Sequence, residues 1–163
     1  MDRRPLWAPW RIEYIVGPKD GECIFCRAAA GEEDATAGVV DRGARCFTML
    51  NAYPYASGHV MISPYRHVGD LDDLDDDESL ELMRLARRAV AALRTVMSPD
   101  GFNAGLNLGT VAGAGFADHL HFHVVPRWQG DTSFMPVIGG AHVVPQALEA
   151  TRELLAAALR DLD

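Results

Sequence analysis

No apolar run in this chain approaches the ~18 residues that a membrane-crossing helix needs, so no transmembrane segment is expected. The first stretch, MDRRPLWAPWRIEYIV, carries basic residues but has no clean apolar segment and no small-residue cleavage site. It is not read as a signal peptide, and a cytoplasmic location is expected. Cysteine is scarce: there are three, an odd number, and two stand as Cys-x-x-Cys at Cys23 and Cys26. That suits a reducing compartment and metal binding better than a disulfide scaffold. Positive charge is also short, with 15 Lys and Arg against 23 Asp and Glu and a formal net charge of −8. This argues against a nucleic-acid binder that works by neutralising phosphates. A small anionic ligand stays open, because a pocket can be locally positive on an acidic protein.

What is present suits a single domain with a real core. The chain has 163 residues, 48% of them hydrophobic and 23% charged. The acidic excess gathers in DLDDLDDDE, residues 70–78, and reads as a solvated helix entry, where carboxylates favour the positive end of the helix dipole. Residues 5–16 predict a short helix or arm, and residues 24–30 a helical turn leaving the Cys pair. GVVDRG and RCFTMLN predict two strands joined by a short turn, and HVMISP a third. From Ser79 to Met97 the apolar residues follow helical spacing, and Pro99 ends that helix. NAGLNLG predicts a strand, GTVAGAG a small-residue loop, HLHFHVVP a fifth strand and WQGDTSFMPVIGG an irregular stretch. A last helix spans about Pro145 to Leu162, with Leu148, Thr151, Leu155, Leu159 and Leu162 on one face. Strands in hairpins with separate helices predict an α+β fold on an antiparallel sheet.

In DHLHFHVVPRW, residues 118–128, His119, His121 and His123 alternate with Leu120, Phe122 and Val124. On a strand the three histidines share one face, roughly 6.6 Å apart, while the apolar residues can pack against a helix. That spacing is too wide for all three to ligate one metal. It suits different tasks along one cleft. Cys-x-x-Cys is half of a zinc site or a pair of thiols, and Cys46, within an apolar strand, reads as a small buried hydrophobe.

HLHFHVV resembles the His-φ-His-φ-His-φ-φ signature of the histidine triad (HIT) superfamily, where φ is apolar. CFTMLNAYPYASGHVMISPYRH is similar to that family's first strand pair, and CIFCRAAAGE to its Cys-x-x-Cys entry. LWAPWRIEYI and GFNAGLNLG resemble the branch that splits dinucleoside polyphosphates, in particular the actinobacterial diadenosine tetraphosphate phosphorylases. The likeness spans roughly residues 5–160. It implies one HIT domain over residues 1–163: an N-terminal arm at 1–22, a five-stranded antiparallel sheet, one long central helix, and a C-terminal helix at 145–162. It also implies a homodimer and no organic cofactor.

The resemblance implies a chemistry too. His121 attacks an α-phosphorus and forms a covalent nucleotidyl-histidine. It must do so as a neutral imidazole, with its other nitrogen donating to a backbone carbonyl. His123 stabilises charge at the phosphoryl and bridging oxygens, and His59 supports the same cleft. Asn51 is expected at the ribose, unless it only stabilises a turn. Asn107, unless it only stabilises a turn or caps an element, and Gly113 and Gly115 are expected at the nucleotide and phosphates, the glycines through approachable backbone N–H groups. Cys23, Cys26, His67 and His119 complete a structural zinc site. Hydrolytic relatives carry Gln where this chain has Gly115, which leaves room for inorganic phosphate as acceptor. The expected reaction is diadenosine tetraphosphate plus phosphate giving ATP plus ADP. A hydrolase of the same superfamily and a zinc-stabilised nucleotide-binding regulator without turnover are the alternatives.

Overall fold

Glu81 organises the first hairpin. In the computed structural model, which describes residues 22–31, 33–131 and 147–162, its carboxylate accepts the backbone N–H groups of Ala44, Arg45 and Cys46. Ala44 and Arg45 lie in the turn between β1 (Val39–Arg42) and β2 (Cys46–Leu50), and Cys46 opens β2. A Cβ on Gly43 would stand 2.6 Å from that carboxylate, so the turn needs glycine to let Glu81 in. β2 pairs with β3 (Val60–Pro64) in unbroken antiparallel register, from Cys46 opposite Pro64 to Leu50 opposite Val60. β3 then pairs with β5 (Phe122–Arg127), and β5 with β4 (Gly101–Leu106). The sheet order is β1-β2-β3-β5-β4, antiparallel throughout, as the sequence predicts. No helix among the described residues is long and apolar enough to cross a membrane.

Alternation along the strands sorts the two faces. Cys46, Leu50, Val60, Ile62, Leu120 and Val124 pack beneath the long helix α3 (Asp76–Met97). Leu155 and Leu159 of α4 (Leu148–Arg160) join the same core. The opposite face carries Val39, Phe47, Met49 and Met61, covered by Phe25 and Ala28 of α1 (Ile24–Ala30). A single turn, α2 (Asp34–Ala37), links α1 to β1. Because residues 121 and 123 have the opposite parity to 122 and 124, the histidines face the α1 side.

Several boundaries differ from expectation. α3 starts at Asp76, not Ser79, because Asp75 and Glu78 form a capping box and the acidic run supplies the whole first turn. Glu78 is buried, and Arg66 grips its two oxygens at 2.7 and 2.6 Å. β5 begins at Phe122 rather than His119, since the backbone ahead of it has other partners: the Leu120 N–H donates to Val68 and its carbonyl accepts from Ser63 Oγ. β4 spans Gly101–Leu106, so Asn107 falls just past its end. Thr151, Leu155 and Leu159 form the buried face of α4, whereas Leu148 at its start and Leu162 past its end are exposed. The expected arm at 5–16 and most of the irregular stretch after Trp128 lie outside the described residues.

Gly58 fixes the approach to His59. Its φ is +79°, and a Cβ there would lie 2.6 Å from the Met97 sulfur and 2.9 Å from Leu93. Gly58→Ala is therefore expected to destabilise the protein by about 2–4 kcal/mol, combining left-handed backbone strain with overpacking. Chemical denaturation of the two proteins checks this, and an unchanged midpoint would contradict it.

Candidate active site and metal centre

Three separated segments bring two thiols and two imidazoles together. Cys23 precedes α1, Cys26 lies in its first turn, His67 follows β3 and His119 precedes β5. Their ligand atoms all lie within 4.8 Å of one another. His119 Nδ1 is 3.3 Å from Cys23 Sγ, 3.6 Å from Cys26 Sγ and 3.2 Å from His67 Nδ1, while Cys26 Sγ is 3.2 Å from His67 Nδ1. A tetrahedral site with metal–sulfur bonds of ~2.3 Å and metal–nitrogen bonds of ~2.0–2.1 Å has edges of roughly 3.3–3.8 Å, so this cluster can hold a metal ion. His119 Nε2–H donates to the Pro64 carbonyl at 3.0 Å, which aims the Nδ1 lone pair into the cluster. Burial pushes His119 below the ordinary imidazole pKa, towards the neutral form that a ligand requires. Burial, and then the neighbouring Cys23, push the Cys26 thiol up. A bound dication reverses that tendency, because a coordinating thiol is deprotonated. Cys46 is apart from this site: fully buried, its thiol is pushed up to about 12, chiefly by desolvation, and it is inert as expected.

The other two histidines of the motif face a second task. His121 Nδ1 is 2.8 Å from the carbonyl oxygen of His119. Nδ1–H therefore donates, and Nε2 keeps the lone pair. Burial lowers the His121 pKa, with the carbonyl contact working the other way, so the ring is uncharged at neutral pH. The backbone acceptor that the sequence reading requires of a nucleophilic imidazole is thus in place. A second chain of contacts sets the neighbouring tautomers. The Tyr55 N–H donates to His59 Nδ1 at 3.2 Å, so neutral His59 carries its hydrogen on Nε2 and donates to His123 Nδ1 at 2.9 Å. Neutral His123 then holds its own hydrogen on Nε2, as a donor. Tyr55 stacks on His59 at 4.9 Å and 15°, and His59 is fully buried. Cross-strand register places Gly105 opposite His123, with open space where its Cβ would be.

The expected nucleotide residues divide. Asn107 stands one residue past β4, whose last residue, Leu106, pairs with Phe122 next to His121. Asn51 follows β2; its backbone N–H donates to the His59 carbonyl, and its side chain accepts from the Tyr53 N–H at 2.9 Å. The turn-stabilising role is therefore present, and Asn51 also stands at the edge of the histidine site. Gly109 and Gly113 have φ of +77° and +90° around a 3-10 turn, Thr110–Ala112, and both stand in open space. Gly115 is half-buried, one residue before Phe116, whose ring meets Phe25 edge-on at 5.9 Å. A cavity of about 770 Å³ opens beside α1 and the end of β2, lined by Ile24, Ala28, Met49, Ala52, Arg27 and Arg152. Its wall is mainly apolar and includes Leu50 and Ala52 on either side of Asn51, while no triad histidine lines it.

Phe25 and Tyr55 belong to this site and were not foreseen. Phe25 sits inside the Cys-x-x-Cys motif, and that position, between two metal-ligand types and beside an apolar helix face, was the only available signal. Tyr55 lies between β2 and β3, where no strand or helix period marks it.

Residues 32–130 match the family model for the HIT domain. A protein of Mycobacterium tuberculosis named AP-4-A phosphorylase is 46% identical over 159 residues, covering 93% of this chain and 82% of that protein. An adenosine 5'-monophosphoramidase of Schizosaccharomyces pombe is 28% identical over 105 residues, covering 64% of this chain and 74% of that protein. Among solved structures, a zinc-bound histidine triad family protein from Mycobacterium smegmatis superposes with a TM-score of 0.71 at 28% identity, covering 87% of this chain and 96% of that one. The domain match, the 46% identity and the shared architecture lead to one conclusion: this chain belongs to the histidine triad family, among that family's enzymes.

Proposed function

We propose that the protein is a nucleotidyltransferase that cleaves diadenosine tetraphosphate with inorganic phosphate, giving ATP and ADP. The observation that carries this reading is the 2.8 Å contact from His121 Nδ1 to the His119 carbonyl, which leaves the lone pair of a neutral ring on Nε2. Nε2 attacks the α-phosphorus, the bond to the bridging oxygen breaks, and ATP leaves. His123, protonated on Nε2 by the His59 relay, offers a hydrogen-bond donor to charge building on the phosphoryl and bridging oxygens. Phosphate oxygen then attacks the adenylyl-His121, releasing ADP and restoring the imidazole. The nucleoside occupies the cavity beside α1, with Asn51 near the ribose and Asn107 near the phosphates. Gly113 and Gly115 let the second anion approach the backbone. The 46% identity to a protein named AP-4-A phosphorylase supports this substrate. Zinc suits the two-thiol, two-imidazole set, and a closed four-ligand site gives it a structural role with no reacting water. The Mycobacterium smegmatis neighbour, which is zinc-bound, supports that choice.

The phosphoramidase relative favours a second reading, hydrolysis, in which water takes the nucleotidyl group. Product analysis separates the two. With diadenosine tetraphosphate and phosphate, ADP and ATP are expected, with little AMP. Gly115→Gln is expected to slow phosphorolysis more than formation of the intermediate. AMP released at the same rate with or without phosphate would establish a hydrolase.

A homodimer is part of this proposal. β4 is a sheet edge, and beside it lies an apolar groove of about 410 Å³ with the exposed Leu80 and Met83 of α3 on its rim. A second copy related by a twofold axis pairs the two edges and covers both grooves. Met83→Glu is expected to give monomers in light scattering, and a wild-type monomer would refute the dimer.

A further inference from the structure

The metal-binding knuckle carries more than ligands. Between Cys23 and Cys26 the chain makes the first turn of α1, closed by the Arg27 N–H on the Cys23 carbonyl at 2.9 Å. That turn points Phe25 inward, where it is fully buried. Its ring stacks on His121 with centroids 4.8 Å apart and 27° between planes, and it lies 5.1 Å from His119. The His121 ring also meets His123 in a T-shaped contact, at 4.8 Å and 75°.

An imidazole has a broad, roughly two-fold χ2 well, so one hydrogen bond does not fix the ring. The bond to the His119 carbonyl sets where Nδ1 points, but a ring held only there can flip and offer the other nitrogen. The flat Phe25 ring stacked on His121, with His123 packed against the same imidazole, removes that freedom. We propose that Phe25 is a positioning residue for the nucleophile: carried by the metal knuckle, it clamps the His121 ring so that Nε2 faces the substrate. This rests on the reading of His121 as nucleophile. It adds that the Cys-x-x-Cys segment acts on the chemistry through the residue it encloses, and not only on stability.

Phe47 provides a matched control. It is equally buried, belongs to the same apolar cluster, and stacks on Tyr65 at 5.3 Å instead of on a triad residue. Phe25→Leu and Phe47→Leu remove similar apolar area and are expected to lower Tm by similar amounts, with metal content unchanged. Their effects on the site differ. In a single-turnover assay with diadenosine tetraphosphate, Phe25→Leu slows formation of the nucleotidyl-enzyme by about tenfold to a hundredfold with little change in KM, the scale expected for a misplaced reacting group. Nitrogen-15 NMR of the imidazoles at fixed neutral pH shows His121 as a single Nδ1–H tautomer in the wild type and as a mixture in Phe25→Leu. Phe25→Met, which keeps side-chain volume without a flat face, gives the same result and serves if the Leu variant folds poorly. Phe47→Leu changes neither rate nor tautomer. A Phe25 variant that slows no more than Phe47→Leu, or that keeps the single tautomer, overturns the proposal. His121→Asn is assayed alongside; its retaining full turnover would instead remove the nucleophile reading beneath it.

Discussion

His121→Asn is expected to lose nucleotidyl transfer by roughly four orders of magnitude or more, the scale on which removal of a lone nucleophile acts. The expectation follows from how the ring is held. Nδ1 is committed to the His119 carbonyl, so Nε2 is the nitrogen available for attack. Burial keeps the ring neutral, so the attacking lone pair is not lost to a proton at neutral pH. No other described residue combines these features. His119 turns Nδ1 to the thiols, and His123 has Nδ1 engaged with His59. Asparagine can still donate to the His119 carbonyl through its amide, so the turn ahead of β5 is preserved and nucleotide affinity should change little. Intact-mass detection of the nucleotidyl-protein and a single-turnover rate measure the effect. Near-normal turnover, or an adduct on another residue, would sink the covalent mechanism.

The parts of this site that the sequence makes legible depend on local period. Residues 119, 121 and 123 announce a shared face because alternation on an extended chain is a local property. Leu120, Phe122 and Val124 announce the helix-facing core for the same reason, and both faces are as expected. The acidic run 70–78 is legible as a helix entry by its charge, but the capping box inside it starts α3 at Asp76 and Glu78 is buried rather than solvated. Long-range pairings were not legible from spacing. Nothing local to His67 joins it to Cys26, 41 residues away; the family resemblance supplied that link, and the geometry agrees with it. Glu81 and Glu78 look like ordinary surface carboxylates of a charged helix, yet one pins a hairpin turn by three N–H groups and the other is buried against Arg66. Phe25 is hidden by its neighbours in the same way. A phenylalanine beside two cysteines reads as packing, and only the fold brings it onto His121.

The second large effect concerns the metal. One equivalent of zinc per chain is expected in protein purified without chelator. Its removal, or Cys26→Ser, is expected to lower Tm by about 10 °C or more. Structural zinc contributes roughly 10–16 kcal/mol to small metal-dependent peptides. The described residues hold two apolar clusters of their own, so the loss is smaller. About 4–5 kcal/mol suffices for such a shift in a chain of this size. The cluster joins α1, the segment after β3 and the lead into β5, beside the Leu120 N–H on the Val68 carbonyl, His119 Nε2 on the Pro64 carbonyl and the Phe25 ring on His119 and His121. Without the ion, four donors within 4.8 Å lose their common partner, and the two thiols are left partly buried side by side. Catalysis should fall with stability, because His119 supplies both a ligand nitrogen and the carbonyl that holds His121 Nδ1. Calorimetry and single-turnover assays before and after chelation, with zinc restored in a third sample, separate reversible loss from damage. A protein that carries no metal as isolated, or whose Tm and rate are unmoved by chelation, would leave these four side chains as a packing cluster without a metal role.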